Sequence, residues 1–285
     1  MHPDPTESRG MASFSGAILF LFFLSGALGL IYEVVWLRML ILIFGSTHFA
    51  VSTVLTAFMA GLALGAWVVG QRIDRKWSPL AVYGLFEIGI GLYALAIPWL
   101  FGLLQPVSQW LWDTFQPTFF GFSLMRFVFV GAVLIVPTSL MGGTLPALSR
   151  FVTRRRERIG LSVGSLYGVN TFGAVAGTAA TGFLLVPWLG VQETIRVAAT
   201  LNVAVGLAAL VLFFATRSRK EAPEEPPGAV AAADGGALLR PEARSAIPGR
   251  VALVLFVFGA SGFIAMIYEI AWTRVLALVI GSSVY

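Results

Sequence analysis

Hydrophobic residues run along this chain in blocks of roughly 20 or more, and a block of that length crosses about 30 Å of hydrocarbon. Seven blocks stand out: Phe14–Phe44, Ala50–Val69, Leu80–Leu104, Phe122–Leu148, Leu161–Leu189, Thr194–Ala215, and a last one that begins near Arg250 and continues close to the chain end. Lipid offers backbone N–H and C=O groups no water to bond, so each block is expected to be a helix. A transmembrane barrel would need segments of about 10 residues alternating apolar and polar, and no such alternation dominates. The run that follows MHPDPTESRGMAS continues to Phe44, far past a signal-peptide core, and is read as a membrane helix. The expected fold class is all-α, a polytopic transmembrane helical bundle.

Composition narrows the function. Of 285 residues, 58% are apolar and 12% charged, against about a quarter charged in soluble domains. There is no cysteine, and only His2 and His48 offer imidazole. Disulfides, thiolate chemistry and multi-histidine metal sites are thereby excluded. The formal charge of +5 is no nucleic-acid signal, because the basic residues gather in alternate loops. One set is Arg72, Arg75 and Lys76; a second is Arg150, Arg154, Arg155, Arg156 and Arg158; a third is Arg217, Arg219 and Lys220. The intervening loops, GSTHFA, the Trp-rich stretch around Asp113 and the turn near Glu193 and Arg196, hold few. The positive-inside rule then places residues 1–13 and the basic loops in the cytoplasm, and Trp99, Trp110, Trp112 and Trp188 near the outer interface. Residues 216–249, rich in Pro, Gly, Ala and charge, are expected to be a flexible cytoplasmic linker.

The last block resembles the first. SGALGLIYEVVWLRMLILIFGSTHF at 25–49 and SGFIAMIYEIAWTRVLALVIGSSVY at 261–285 share about 11 of 25 residues at an offset of 236. The shared Tyr-Glu-x-x-Trp-x-Arg carries two charges that are costly in lipid. A seventh helix that repeats the first implies duplication of a six-helix unit, residues 14–215, with 250–285 opening a second half that is cut short. Six crossings return the chain to its starting side, so both copies point the same way, as in the parallel repeats of major-facilitator (MFS) halves.

The candidate chemistry lies inside the blocks. Tyr32, Glu33 and Trp36 share a broad helix face, whereas Arg38 stands about 140° from Glu33. Each charge is expected to meet a partner on another helix, Arg126 for Glu33 and Glu87 for Arg38, or an aqueous cavity. The functional reading is a substrate or ion site with Glu33 as titrating acceptor and aromatic faces beside a cation. The plain reading is interhelix ion pairs that fix packing, or arginines that snorkel. Tyr268, Glu269, Trp272 and Arg274 are the equivalent group in the last block. In GLALGAWVVGQRIDRK, Gly61 and Gly65 form a close-packing step. Gly70, Asp74 and Arg75 resemble the gate loop between helices two and three of major-facilitator proteins, although Lys76-Trp77 replaces the usual following Gly. Pro137 is expected to kink the fourth helix, with Pro146 near its end. The glycines of GLSVGSLYGVNTFGAVAGTAATGF make a packing seam that holds one polar residue, Asn170. No catalytic constellation and no metal or cofactor site is found.

Together, SGALGLIYEVVWLR, FMAGLALGAWVVGQRIDR, PTSLMGGTLPALSR and LYGVNTFGAVAG resemble the bacterial fused MFS/spermidine synthase proteins, over residues 14–215 and again from 259 to 285. That resemblance implies an inner-membrane domain joined to a cytosolic aminopropyltransferase-like domain that uses decarboxylated S-adenosylmethionine and putrescine. No part of this chain corresponds to the enzymatic domain, so enzyme activity would belong to a longer product. The implied partners are the lipid bilayer, a second membrane half and that domain. The leading expectation is the membrane part of such a fusion, moving or presenting a polyamine or other cation. Its rivals are a plain secondary transporter and a non-transporting scaffold.

Overall fold

The apolar blocks do fold as helices. The computed structural model describes residues 5–44, 47–73, 77–153, 159–220 and 249–280, and no strand occurs among them. The elements are α1 (Pro5–Phe44), α2 (Thr47–Arg72), α3 (Pro79–Gly102), α4 (Leu104–Phe115), α5 (Phe119–Thr153), α6 (Ile159–Ala180), α7 (Val186–Lys220) and α8 (Gly249–Ile280). A π-helical turn, Thr181–Leu185, joins α6 to α7. Among the described residues, six helices are long and apolar enough to cross a membrane, the make-up of a multi-pass membrane protein. The chain divides into a unit ending at Ala215 and a second from Thr216 onward.

Four boundaries differ from expectation. α1 starts at Pro5, ahead of Phe14. The third block does not run on to Leu104: it ends at Gly102, and a separate 12-residue helix, α4, follows. α4 was hidden because Gln105, Gln109 and Asp113 interrupt its hydropathy. They recur every four residues and so form one polar face, while Leu104 and Ser108 are buried on the other. Pro137 and Pro146 both lie inside α5, which runs through them to Thr153. The turn between the fifth and sixth blocks sits at Gly190 (φ 77°, ψ 172°), and Glu193 and Arg196 belong to the helix beyond it. Only glycine adopts that backbone at no steric cost.

The packing shows what Gly190 does. The apolar stretch Val163–Arg217 has 55 residues, whereas about 20 suffice for one crossing. Phe23 meets Gly173 and Ala27 meets Gly177, so α1 and α6 run parallel. The bonds Tyr83–Leu21 and Ser25–Glu87 make α1 and α3 parallel too. Gly84 faces Gly206 and Gly91 faces Ala199, so α3 and α7 are antiparallel. α6 and α7 therefore oppose each other, and the chain reverses at Gly190. Along α2 and α5, Gly61 meets Thr138 and Val69 meets Gly143, a parallel pair. Tyr93 bonds Val133 while Gly143 meets Phe86, so α3 opposes α5. α1, α3 and α6 thus run one way, and α2, α5 and α7 the other.

These pairs approach closely because glycines line them. A Cβ on Gly65 would lie 1.8 Å from the Ser139 carbonyl oxygen, and one on Gly177 2.2 Å from that of Ala27. Small residues permit such backbone approach where lipid supplies no hydrophobic drive between helices. The expected Gly61/Gly65 step serves this purpose, and so do Gly173 and Gly177 of the 160–183 stretch, whereas a Cβ on Gly164, Gly168 or Gly182 would meet nothing within 4 Å. Gly70 does not, since a Cβ there would meet nothing within 4 Å.

The two ends of the first unit differ. Arg72 and Arg150 stand at the end where α2 and α5 finish. Trp99, Trp110, Trp112 and Trp188 stand at the other, each at least 49% exposed.

Candidate functional site

The buried face of α1 organises the site. Ser25, Gly29, Tyr32 and Trp36 recur at four, three and four residues, one stripe of the helix. Tyr32 and Trp36 are fully buried, with ring centroids 5.3 Å apart and planes at 14°. Their Tyr32 Oη and Trp36 Nε1 atoms have no hydrogen-bond partner among the described residues. Glu33, on the adjoining face, is also buried. Arg38 is half-buried one turn further on.

Glu87 of α3 is not the partner of Arg38. Its Oε1 accepts a 2.5 Å bond from Ser25 Oγ, and its Oε2 accepts a 2.5 Å bond from Asn202 Nδ2 of α7. Asn202 Nδ2 also reaches the Glu87 carbonyl oxygen, at 2.8 Å. Ser25 precedes Arg38 by 13 residues, about 20 Å along a helix, so Glu87 and Arg38 stand at different depths. Arg126 is misplaced for Glu33 in the same way. Its guanidinium lies 5.7 Å from the ring centroid of Phe44 and 4.4 Å from that of Phe122, and its Nε donates to Ser108 Oγ at 3.4 Å. Phe44 is 11 residues beyond Glu33, about 16 Å of helix rise.

Around Glu87 is a cavity of about 90 Å³ whose polar lining comes from Ser25, Glu87, Thr144, Asn170 and Asn202. Asn170 is held at its edge by a 3.0 Å bond from Nδ2 to the Phe22 carbonyl oxygen. Thr144 and Met141 come from the PTSLMGGTLP stretch of α5. The volume suits one small cationic head or a few waters, since drug-sized ligands need about 300–1,000 Å³. Chemically the site is a carboxylate fully removed from water, bonded to neutral donors. No cationic side chain pairs with it among the described residues. A buried carboxylate without a counter-charge is held as the acid or draws a cation to itself.

Of the expected site residues, the fold brings Glu87 and Asn170 to this cavity, with Tyr32 and Trp36 further along the same α1 stripe. Arg126 stands apart, at the tryptophan-bearing end. Tyr268, Glu269, Trp272 and Arg274 lie on α8, where Thr273 Oγ1 bonds the Glu269 carbonyl oxygen at 2.8 Å. Gly70 ends α2 in the open, and Asp74 and Arg75 fall outside the described residues. Asn202 was missed. Its signal was one amide within the apolar stretch VAATLNVAVGLAAL. No group of three or more possible metal ligands occurs among the described residues.

Comparison with known proteins gives one informative likeness. The chain is 29% identical over 202 residues to "Polyamine aminopropyltransferase 2" of Streptomyces coelicolor, a match that covers 67% of this chain and 32% of that protein. The chain therefore spans about a third of the length of the relative it matches. No family model matches. No solved structure matches either.

Proposed function

We infer that the chain is the membrane part of a polyamine-linked protein, with a six-crossing domain that receives a cationic group at Glu87. The observation that carries this reading is the Glu87 carboxylate, buried over a polar cavity and bonded to neutral side chains, Ser25 and Asn202 among them. An ammonium head supplies the missing positive charge, and the Tyr32 and Trp36 faces lie along the same stripe for a cation that moves on. Polyamines are the first class to test, because the relative is named for an aminopropyltransferase.

The pairing of crossings one with five, two with four and three with six suits one half of a major-facilitator-type transporter. On that reading α8 opens a second half, and residues 216–249 are the linker between halves. The basic loops and the N-terminus then face the bacterial cytoplasm. The decisive experiment measures spermidine and putrescine binding and uptake by the full gene product in proteoliposomes. Glu87→Gln is expected to abolish saturable binding while the protein stays folded. Glu33→Gln and Glu269→Gln test whether the repeated carboxylates share in transport. Binding and uptake that survive Glu87→Gln would sink the assignment.

A second reading rests on the same likeness. Since the relative is named as an enzyme and is about three times longer than the match, the helices would serve as a membrane anchor for a catalytic domain. Under that reading Glu33→Leu leaves enzyme activity intact and no polyamine flux is found.

A further inference from the structure

At the basic end of the first unit, the last turn of α2 and the first turns of α3 part to leave a groove of about 570 Å³. Its walls include Val69, Ile73, Val82, Leu85 and Phe86, while Arg72 and Trp77 stand at its rim. The volume lies within the range of ligand pockets, about 300–1,000 Å³. Three features identify the occupant. First, the walls are apolar and continue onto the outer side of α3, where Leu85 and Leu92 are 55% and 59% exposed. Water is a poor filling for such a surface, and an acyl chain a good one. Second, the rim lies where membrane-crossing helices end, the depth of phospholipid headgroups. Trp77, 62% exposed, is the amphipathic ring that favours this depth. Third, Arg72 is exposed and makes no hydrogen bond or ion pair with any described residue. A guanidinium there presents a two-pronged donor fork that matches phosphate oxygens.

The geometry points to a site for an anionic phospholipid, with one acyl chain along Ile73, Leu85 and Phe86 and the headgroup phosphate on Arg72 beside Trp77. This site is separate from the Glu87 cavity and does not depend on it.

The test is native mass spectrometry of the full chain, purified in detergent and supplied with equimolar phosphatidylglycerol and phosphatidylcholine. The wild type is expected to retain phosphatidylglycerol preferentially. Arg72→Gln reduces that preference about fivefold, the scale of one basic residue at a lipid surface, and Arg72→Lys restores most of it. Leu85→Trp fills the groove and lowers retention of both lipids. Arg196→Gln, which removes a charge at the opposite end, leaves the preference unchanged. Elution volume and Tm matching the wild type show that each variant is folded. Equal retention of the two lipids by the wild type, or a preference indifferent to Arg72→Gln, would mean non-selective boundary lipid only and would overturn the site.

Discussion

One stripe of α1 buries two polar clusters that are built in opposite ways. At Ser25 the stripe meets Glu87, and both carboxylate oxygens are hydrogen-bonded. Two turns further on, Tyr32 and Trp36 are just as buried, yet their polar atoms meet no partner among the described residues. The first cluster makes contacts across α1, α3 and α7, so it fixes three helices against one another. The second contributes ring stacking and apolar area, which need no directional partner. Burial alone therefore does not say what a polar group is for. The count of satisfied atoms separates a helix-locking cluster from one that tolerates change.

The comparison can be broken most severely at Gly26. A Cβ there would lie 2.1 Å from the Asn170 carbonyl oxygen, backbone that cannot swing aside. Gly26→Leu is expected to cost at least about 1–3 kcal/mol, the range of ordinary overpacking, and to abolish a monodisperse peak in size-exclusion chromatography. Wild-type behaviour would show that α1 and α6 do not pack this closely. Asn202→Ala comes next, since it strips donors from Glu87 while leaving the carboxylate buried. A loss of about 1–3 kcal/mol is expected, read as a lower Tm in a thermal-shift assay. No change in Tm would mean that water replaces the amide and that the cluster does not lock α7. The smallest effect is expected for Tyr32→Phe, which removes a hydroxyl that bonds no described residue. Its Tm should stay level with the wild type or rise slightly, because a buried unbonded group is unfavourable. A drop comparable to that of Asn202→Ala would reveal a partner for the hydroxyl and erase the contrast between the clusters.

Much of the fold was legible because hydrocarbon thickness imposes a block length. The blocks from Phe14, Ala50, Leu80 and Phe122 all became helices, although α1 begins nine residues ahead of Phe14. α4 was not legible as a helix, because its Gln105, Gln109 and Asp113 lower the local hydropathy while still obeying helical spacing. Glu87 is expected from the sequence as a partner for Arg38 and Asn170 as the polar residue of a packing seam, and both line the cavity instead. Their partners could not be read from the sequence. Periodicity gives the face of a helix on which a residue stands, but not the depth at which a neighbouring helix meets it. That is why Arg126, level with Phe44, was wrongly matched to Glu33, and why Asn202 went unnoticed.

The Glu87–Asn202 bond joins residues 115 positions apart. At synthesis rates of about 5–20 residues per second, Asn202 is polymerised roughly 6–23 s after Glu87. Ser25, made earlier, is already there to meet the carboxylate. For those seconds the nascent α3 carries its acid without the Asn202 amide, before the helix that supplies it exists. Completion of the Glu87 cluster thus waits on α7, and a chain stalled before Asn202 would leave that polar site unfinished.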